Sequence, residues 1–234
     1  MEINGKKAVV FGGTSGIGRE VVRMLRDDGA EVIAASRNPG RAEPMDGVTL
    51  KACDVRDAAA VEALMKDCAP FDILVNAATG GDRAIGPFLD MDMDGFRGSF
   101  DKMWGYANVV RFGAAHMGKN GAIVLVSGAP ARRIKPGQVA IGAVGGAVEA
   151  FTRAVATEIA PLRINAVCPG QIDTPMVALE GAERDDFYAR TTSGHLIPRA
   201  GTSAEVAEAI LFTIRNDFVT GTTVDVDGGW LAAP

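Results

Sequence analysis

Phe11-Gly12-Gly13-Thr14-Ser15-Gly16-Ile17-Gly18 is the stretch whose reading decides the fold of this chain. It follows Lys7-Ala8-Val9-Val10, an apolar run of buried-strand character. It precedes Arg19-Glu20-Val21-Val22-Arg23-Met24-Leu25, whose apolar spacing is helical. Strand, glycine-rich turn and helix in that order make a dinucleotide-phosphate site. Glycines let the backbone turn tightly and approach a pyrophosphate, and a helix N-terminus offers free N–H groups and a positive dipole end. A glycine-rich hairpin is the competing reading of the glycines alone. The flanking strand and helix supply the context a phosphate loop needs.

Outward from this turn, strand-like and helix-like stretches alternate. Further strands are read at Val32–Ala35, Val48–Cys53, Phe71–Val75, Ala122–Val126, Arg163–Val167 and Thr222–Val226. Helical spacing occupies about Asp57–Asp67, Asp92–Met117, Gly137–Ile159 and Ala204–Ile214, with Ser203 as N-cap of the last. Repeated βα units with apolar strands predict an α/β fold, a doubly wound parallel sheet of about seven strands covered on both faces. With no Pro/Ser-rich linker and no internal repeat, residues 1–234 read as one domain.

The composition is that of an ordinary globular chain, 47% apolar and 23% charged. No run of about 18 apolar residues appears, so no membrane span is expected. The segment Met1–Lys7 lacks the apolar region of a signal peptide. A net charge of −5 without a basic cluster argues against nucleic acid as the main partner. Cys53, Cys68 and Cys168 are scattered and read as reduced, buried thiols of a cytoplasmic protein. His116 and His195 form no ligand cluster with them, so no metal is expected.

Taken together, the chain resembles the short-chain dehydrogenase/reductase family over nearly its whole length. Gly12, Gly16 and Gly18 match the family's glycine motif, and Thr14, Ser15 and Ile17 lie within it. Asp54-Val55 matches the pair that holds the adenine ring. Asn76-Ala77-Ala78-Thr79 is a degraded Asn-Asn-Ala-Gly motif. The run Asn165 to Met176, containing Pro169, Gly170, Ile172 and Thr174, matches the loop that covers the nicotinamide. Gly221 and Asp227-Gly228-Gly229 match the closing strand and tail. The resemblance implies a Rossmann-type fold, a nicotinamide cofactor and a substrate lid at about residues 177–200. It also implies a homodimer or homotetramer assembled through the two long helices.

At the end of the second strand, where a carboxylate would select NAD(H), stands Ser36-Arg37. Arg37 can pair with a 2′-phosphate and Ser36 can donate to it, which favours NADP(H). The competing reading makes Arg37 and Arg41 solvated loop charges.

The resemblance breaks at the chemistry. Family members use Asn, Ser, Tyr and Lys. Aligned through Val148-Glu149-Ala150-Phe151-Thr152-Arg153, the tyrosine position falls on Ile141 and the lysine position on Gly145. The serine position falls on Gly128, beside Ser127, and the asparagine position on Lys102. Gly142, Gly145 and Gly146 each cost a helix about 1 kcal/mol against alanine. They permit close helix packing at a subunit interface, or they leave room for a bulky substrate or for another long residue. Lys102 is the candidate proton donor, its pKa lowered by burial beside a cationic nicotinamide ring. Against this, Lys102 merely fills a vacancy and pairs with Asp101 or Asp173. Arg132, Arg133 and Lys135 read as an anion-holding loop or as a solvated basic one. Tyr106 reads as a core or interface residue, Tyr188 and His195 as lid proton donors or surface residues. Trp104 and Trp230 read as core, interface or pocket-wall residues.

Three functions are consistent with this sequence. The first is an NADP(H)-dependent oxidoreductase acting on a small-molecule carbonyl, imine or activated alkene with a non-standard proton donor. The second is a non-redox isomerase, cyclase or lyase on the same scaffold. The third is a catalytically silent binding subunit.

Overall fold

The computed structural model describes residues 1–79, 81 and 83–234. The chain runs β1 (Lys7–Phe11), α1 (Gly16–Asp27), β2 (Glu31–Ser36), β3 (Val48–Ala52), α2 (Ala58–Cys68) and β4 (Phe71–Asn76). It continues α3 (Met93–Ser99), α4 (Asp101–Ala114), β5 (Met117–Val126), α5 (Val139–Glu158) and β6 (Arg163–Pro169). It ends β7 (Ile172–Asp173), α6 (Gly181–Thr192), β8 (Gly201–Thr202), α7 (Ser203–Arg215) and β9 (Thr223–Val226). Seven strands form one sheet in the order β3-β2-β1-β4-β5-β6-β9, with every pair parallel. β7 and β8 make a separate two-stranded ribbon.

The strand side chains alternate between two apolar layers, as a pleated strand requires. Ala8, Val10, Val32, Ala34, Ile73, Val75 and Val124 face α1 and α7, meeting Val21, Leu25, Ile210 and Leu211. Val9, Phe11, Ile33, Leu74, Ile123 and Leu125 face the other way, toward Met65, Tyr106, Val109 and Val148 of α2, α4 and α5. This two-sided burial explains why the strands read as unbroken apolar runs. α5 is long and apolar enough by composition to cross a membrane, against the expectation of no such segment. In this fold its buried face, including Val144, Val148 and Thr152, packs inward.

Several expectations are corrected. The helical region read as continuous from Asp92 to Met117 is two helices that meet at Phe100, the last residue capping α3 and the first capping α4. Ser99 Oγ there accepts from Ala84 N–H and donates to Gly95 O, tying the break to the loop after β4. β5 starts at Met117, not Ala122, because the register with β4 shifts between Phe71 and Ile73 and lets the strand begin early. The lid segment contains α6, which sequence spacing did not reveal.

The N-cap of α7 is Thr202, not Ser203. Its hydroxyl accepts from Glu205 N–H at 3.2 Å while Glu205 Oε2 accepts from Thr202 N–H at 2.8 Å, a closed capping box. Thr202→Ala is expected to lower the unfolding free energy by about 1 kcal/mol, read from urea denaturation. Ser203→Ala is expected to leave it unchanged within about 0.5 kcal/mol.

Candidate active site

The strand order reverses between β1 and β4, because the chain winds outward from β1 through β2 to β3 and outward from β4 to β9. In open parallel sheets the crevice at such a reversal, beyond the strands' carboxyl ends, is where ligands bind. The loops after β1 and β4 meet there. Ala77 N–H donates to Phe11 O at 3.0 Å. A Cβ on Gly12 would stand 2.7 Å from Ala78 N, and one on Gly18 would stand 2.2 Å from Gly12 O. Gly12 also has φ +73°, a conformation that L side chains rarely adopt.

The turn leads into α1, whose N-cap Ser15 makes no side-chain capping bond and whose first turn holds no acidic residue. Its first N–H groups have no intrahelical acceptor, by helix geometry. Thr174, from the loop after β7, lies over them, its Cβ 3.6 Å from where a Gly16 Cβ would be. Pro169 and Gly170 lead into that loop, and Gly170 N–H donates to Val226 O. Thus Gly12–Gly18, Ser36-Arg37, Asp54-Val55, Asn76–Ala78, Pro169-Gly170, Ile172 and Thr174 all follow strand ends on one edge of the molecule.

Two buried polar atoms on this edge, Ser36 Oγ and Asn76 Nδ2, have no partner among the described residues. A buried polar group without a partner costs stability, so such atoms point to a ligand. Asn76 Oδ1 accepts from Ala78 N–H at 3.1 Å, which fixes the amide in place. The Asp54 carboxyl is held below its usual range, chiefly by hydrogen bonds from Arg56, with Arg37 adding its charge. Arg37 itself is exposed.

Further along the same edge, half-buried Lys102 projects from α4 and donates from Nζ to Ser127 O at 3.2 Å. Asp101 pairs instead with Arg56 and Asp173 with Arg184, so neither holds the lysine. Desolvation within the protein, then repulsion from Arg83, lowers the Lys102 pKa to about 7. Its ammonium also lies 5.4 Å from the centre of the Tyr106 ring. Tyr106 is core, buried, with its hydroxyl donating to Val126 O at 2.9 Å, and burial pushes its pKa up.

Ser127 turns away from Lys102. Its one hydroxyl proton is shared between Glu149 Oε1 at 3.2 Å and Gly145 O at 3.3 Å. Arg132 bridges Glu149 at 3.4 Å and Asp225 at 3.0 Å, joining α5 to β9. Burial keeps the nearby Cys168 thiol protonated, pushed up to about 12. All three cysteines are free and buried. Glu149 and Arg83 were not among the sequence candidates. A carboxylate inside the apolar run Val139–Phe151 was the available signal for Glu149. Nothing in the sequence placed Arg83 beside Lys102.

Gly142 and Gly145 of α5 leave no room for a bulky substrate or another long side chain. A Cβ on Gly142 would stand 2.6 Å from Ile134 Cδ1 and 2.8 Å from Pro130 O, and one on Gly145 would stand 2.9 Å from Ala131 Cβ. The loop between β5 and α5 lies down on the helix and fills the space. Of the lid residues, Tyr188 is buried rather than on the surface, its hydroxyl donating to Ile172 O at 3.4 Å. His195 stacks on Trp230. Trp104 is exposed on α4.

With this geometry in hand, the comparisons with known proteins are direct. The family profile described as enoyl-(acyl carrier protein) reductase matches residues 12–231. A 2-keto-3-deoxy-L-fuconate dehydrogenase of Xanthomonas campestris pv. campestris is 31% identical, over 97% of this chain and 81% of the relative. An L-xylulose reductase of Bos taurus is also 31% identical, over 99% of each chain. A small-chain dehydrogenase solved in complex with NADPH superposes with a TM-score of 0.88 at 33% identity, covering 98% of this chain and 100% of the other. The chain belongs to the short-chain dehydrogenase/reductase family.

Gly18→Ala is expected to lose about 1–3 kcal/mol of stability, because its Cβ meets backbone that can move only by opening the turn. Gly40→Ala, at a site with open space around it, is expected to change the thermal midpoint little in the same melting experiment.

Proposed function

We propose that this protein is an NADP(H)-dependent oxidoreductase for a small-molecule carbonyl, imine or activated alkene, with Lys102 as proton donor. The observation that carries the reading is the Lys102 ammonium, held in the cleft against Ser127 O with a pKa near neutrality. Its dehydrogenase and reductase relatives, and the neighbour solved with NADPH, support the reaction class and the cofactor.

The residues present fit such a cofactor. The glycine turn and the open first turn of α1 suit a pyrophosphate, and the unpartnered Ser36 Oγ and exposed Arg37 suit a 2′-phosphate. Asp54 and Val55 would flank the adenine, and Asn76–Ala78, Pro169, Gly170, Ile172 and Thr174 would enclose the rest. When bound, the cofactor supplies or accepts a hydride.

Lys102 holds a proton at Nζ and passes it to the substrate oxygen, nitrogen or carbon that gains negative charge. At a pKa of about 7 it is close to half protonated at neutral pH, the condition under which a group can both donate and recover a proton. The family's four catalytic positions are then Lys102, Gly128, Ile141 and Gly145, and Lys102 alone of these can carry a proton. Ser127 and Glu149 hold the strand end against which Lys102 is braced. Residues 177–200 close over substrate. The free buried thiols suit the cytoplasm, and Trp104 on α4 suits a homodimer or homotetramer packed through α4 and α5.

The reduction rate is expected to be highest below about pH 7 and to fall about tenfold per unit above it, as Lys102 loses its proton. Lys102→Met should flatten that profile and lower the rate about 10²–10⁴-fold. An unchanged rate and profile would refute the assignment. Calorimetry without substrate should show tighter NADPH than NADH binding, and Arg37→Glu should weaken NADPH binding about tenfold or more while sparing NADH.

A further inference from the structure

The loop after β5, the lid segment after α6 and the tail after β9 converge on one side chain, Trp230. The Arg133 guanidinium lies 4.0 Å from the centre of its indole ring and Lys135 Nζ lies 4.5 Å from it. The His195 ring stacks at 5.1 Å and 39°. Three groups able to carry positive charge thus surround one aromatic ring, at the carboxyl ends of β5 and β9, on the same edge as Lys102.

The Arg133 guanidinium is answered at 3.0 Å by an oxygen of the C-terminal residue, Pro234, whereas Lys135 Nζ has no carboxylate partner among the described residues. The Asp227 carboxylate accepts from Gly229 N–H at 2.9 Å and from Leu231 N–H at 2.7 Å, shaping the tail. The Arg133 guanidinium donates to Trp230 O, Ala233 O and Pro234 O, which fixes it over the ring. Among the described residues neither Arg133 nor Lys135 has a side-chain carboxylate partner within salt-bridge distance. Arg132, the neighbour of Arg133, does have such partners, Asp225 and Glu149. The His195 pKa is lowered by burial first and then by Lys135, Asp227 opposes this, and Arg133 adds a smaller lowering.

We propose that Trp230, Lys135, Arg133 and His195 form a binding subsite for an anionic group of the substrate, a carboxylate or phosphate. In this subsite Arg133 and Trp230 form a fixed platform. Lys135 and protonated His195 supply the free N–H donors. The substrate of this enzyme is then an acidic small molecule whose reactive centre lies toward Lys102 and whose anion lies toward Trp230. This rests on the oxidoreductase reading for the word substrate, but the subsite can be tested without cofactor or turnover.

The test follows the two histidine imidazoles by NMR across pH. His116 precedes β5 at the opposite edge of the sheet and serves as the internal control. An anion seated beside His195 stabilises its protonated form. Sulfate is therefore expected to raise the His195 pKa by about 0.5 unit or more over sodium chloride of equal ionic strength, leaving His116 unmoved. Pyruvate is expected to raise it and the neutral analogue pyruvamide is not. In Lys135→Gln, a change on an exposed loop, the His195 pKa should start higher because a like charge is gone, and the sulfate response should shrink. The proposal is overturned if sulfate acts no more than chloride, if pyruvate and pyruvamide act alike, or if Lys135→Gln keeps the full response. NADPH calorimetry on the wild-type protein reports on the cofactor reading separately. An anion response without NADPH binding would refute that reading and leave the subsite standing.

Discussion

Two backbone segments must touch for this structure to exist. At the point where the sheet reverses direction, the turn after β1 lies against the exit of β4 so closely that a Gly12 side chain would collide with Ala77 and Ala78. The same turn folds back on the start of α1, where Gly18 admits no Cβ. These contacts set the angle at which α1 leaves β1. They also set the crevice between β1 and β4, and so the line on which every other strand end presents its residues. The glycines are a steric requirement of the fold as much as a cradle for phosphate.

Placement of charge on that edge follows a consistent logic. Surface carboxylates such as Asp101 and Asp173 are taken up by Arg56 and Arg184. Glu149, buried in α5, is answered by Ser127 and Arg132. Lys102 lies beside Arg83, and Lys135 and Arg133 gather about Trp230. Desolvation favours the neutral form of an amine, so burying Lys102, with Arg83 nearby, lowers its pKa to about 7. On α5 the β5–α5 loop has settled onto Gly142 and Gly145. Lys102 reaches the same edge from α4.

Much of this was legible in the chain alone. The alternation of apolar runs with helical spacing determined the parallel α/β class, because strands buried on both faces must be apolar throughout. The spacing of Gly12, Gly16 and Gly18 between a strand and a helix marked the crevice, since local geometry there admits few other residues. Ser36-Arg37, Asp54-Val55 and Asn76–Ala78 were readable because each is tied to a strand end, and parallel strands of similar length bring their ends to one edge.

Other features depend on partners distant in sequence, and only the tertiary structure decided them. The break at Phe100 exists because Ser99 bonds to the loop after β4, which no helical period encodes. Gly142 and Gly145 could be read as packing positions or as vacancies until the loop that fills them was in place. Tyr188, polar-tipped and in a lid, is buried because α6 lies on β7. Trp230 gathers Arg133, Lys135 and His195 from segments separated by scores of residues. Local sequence fixes most of which elements form, but not every boundary. Which side chains meet across those ends is settled by packing, since the energy of each contact belongs to both partners and is written in neither alone.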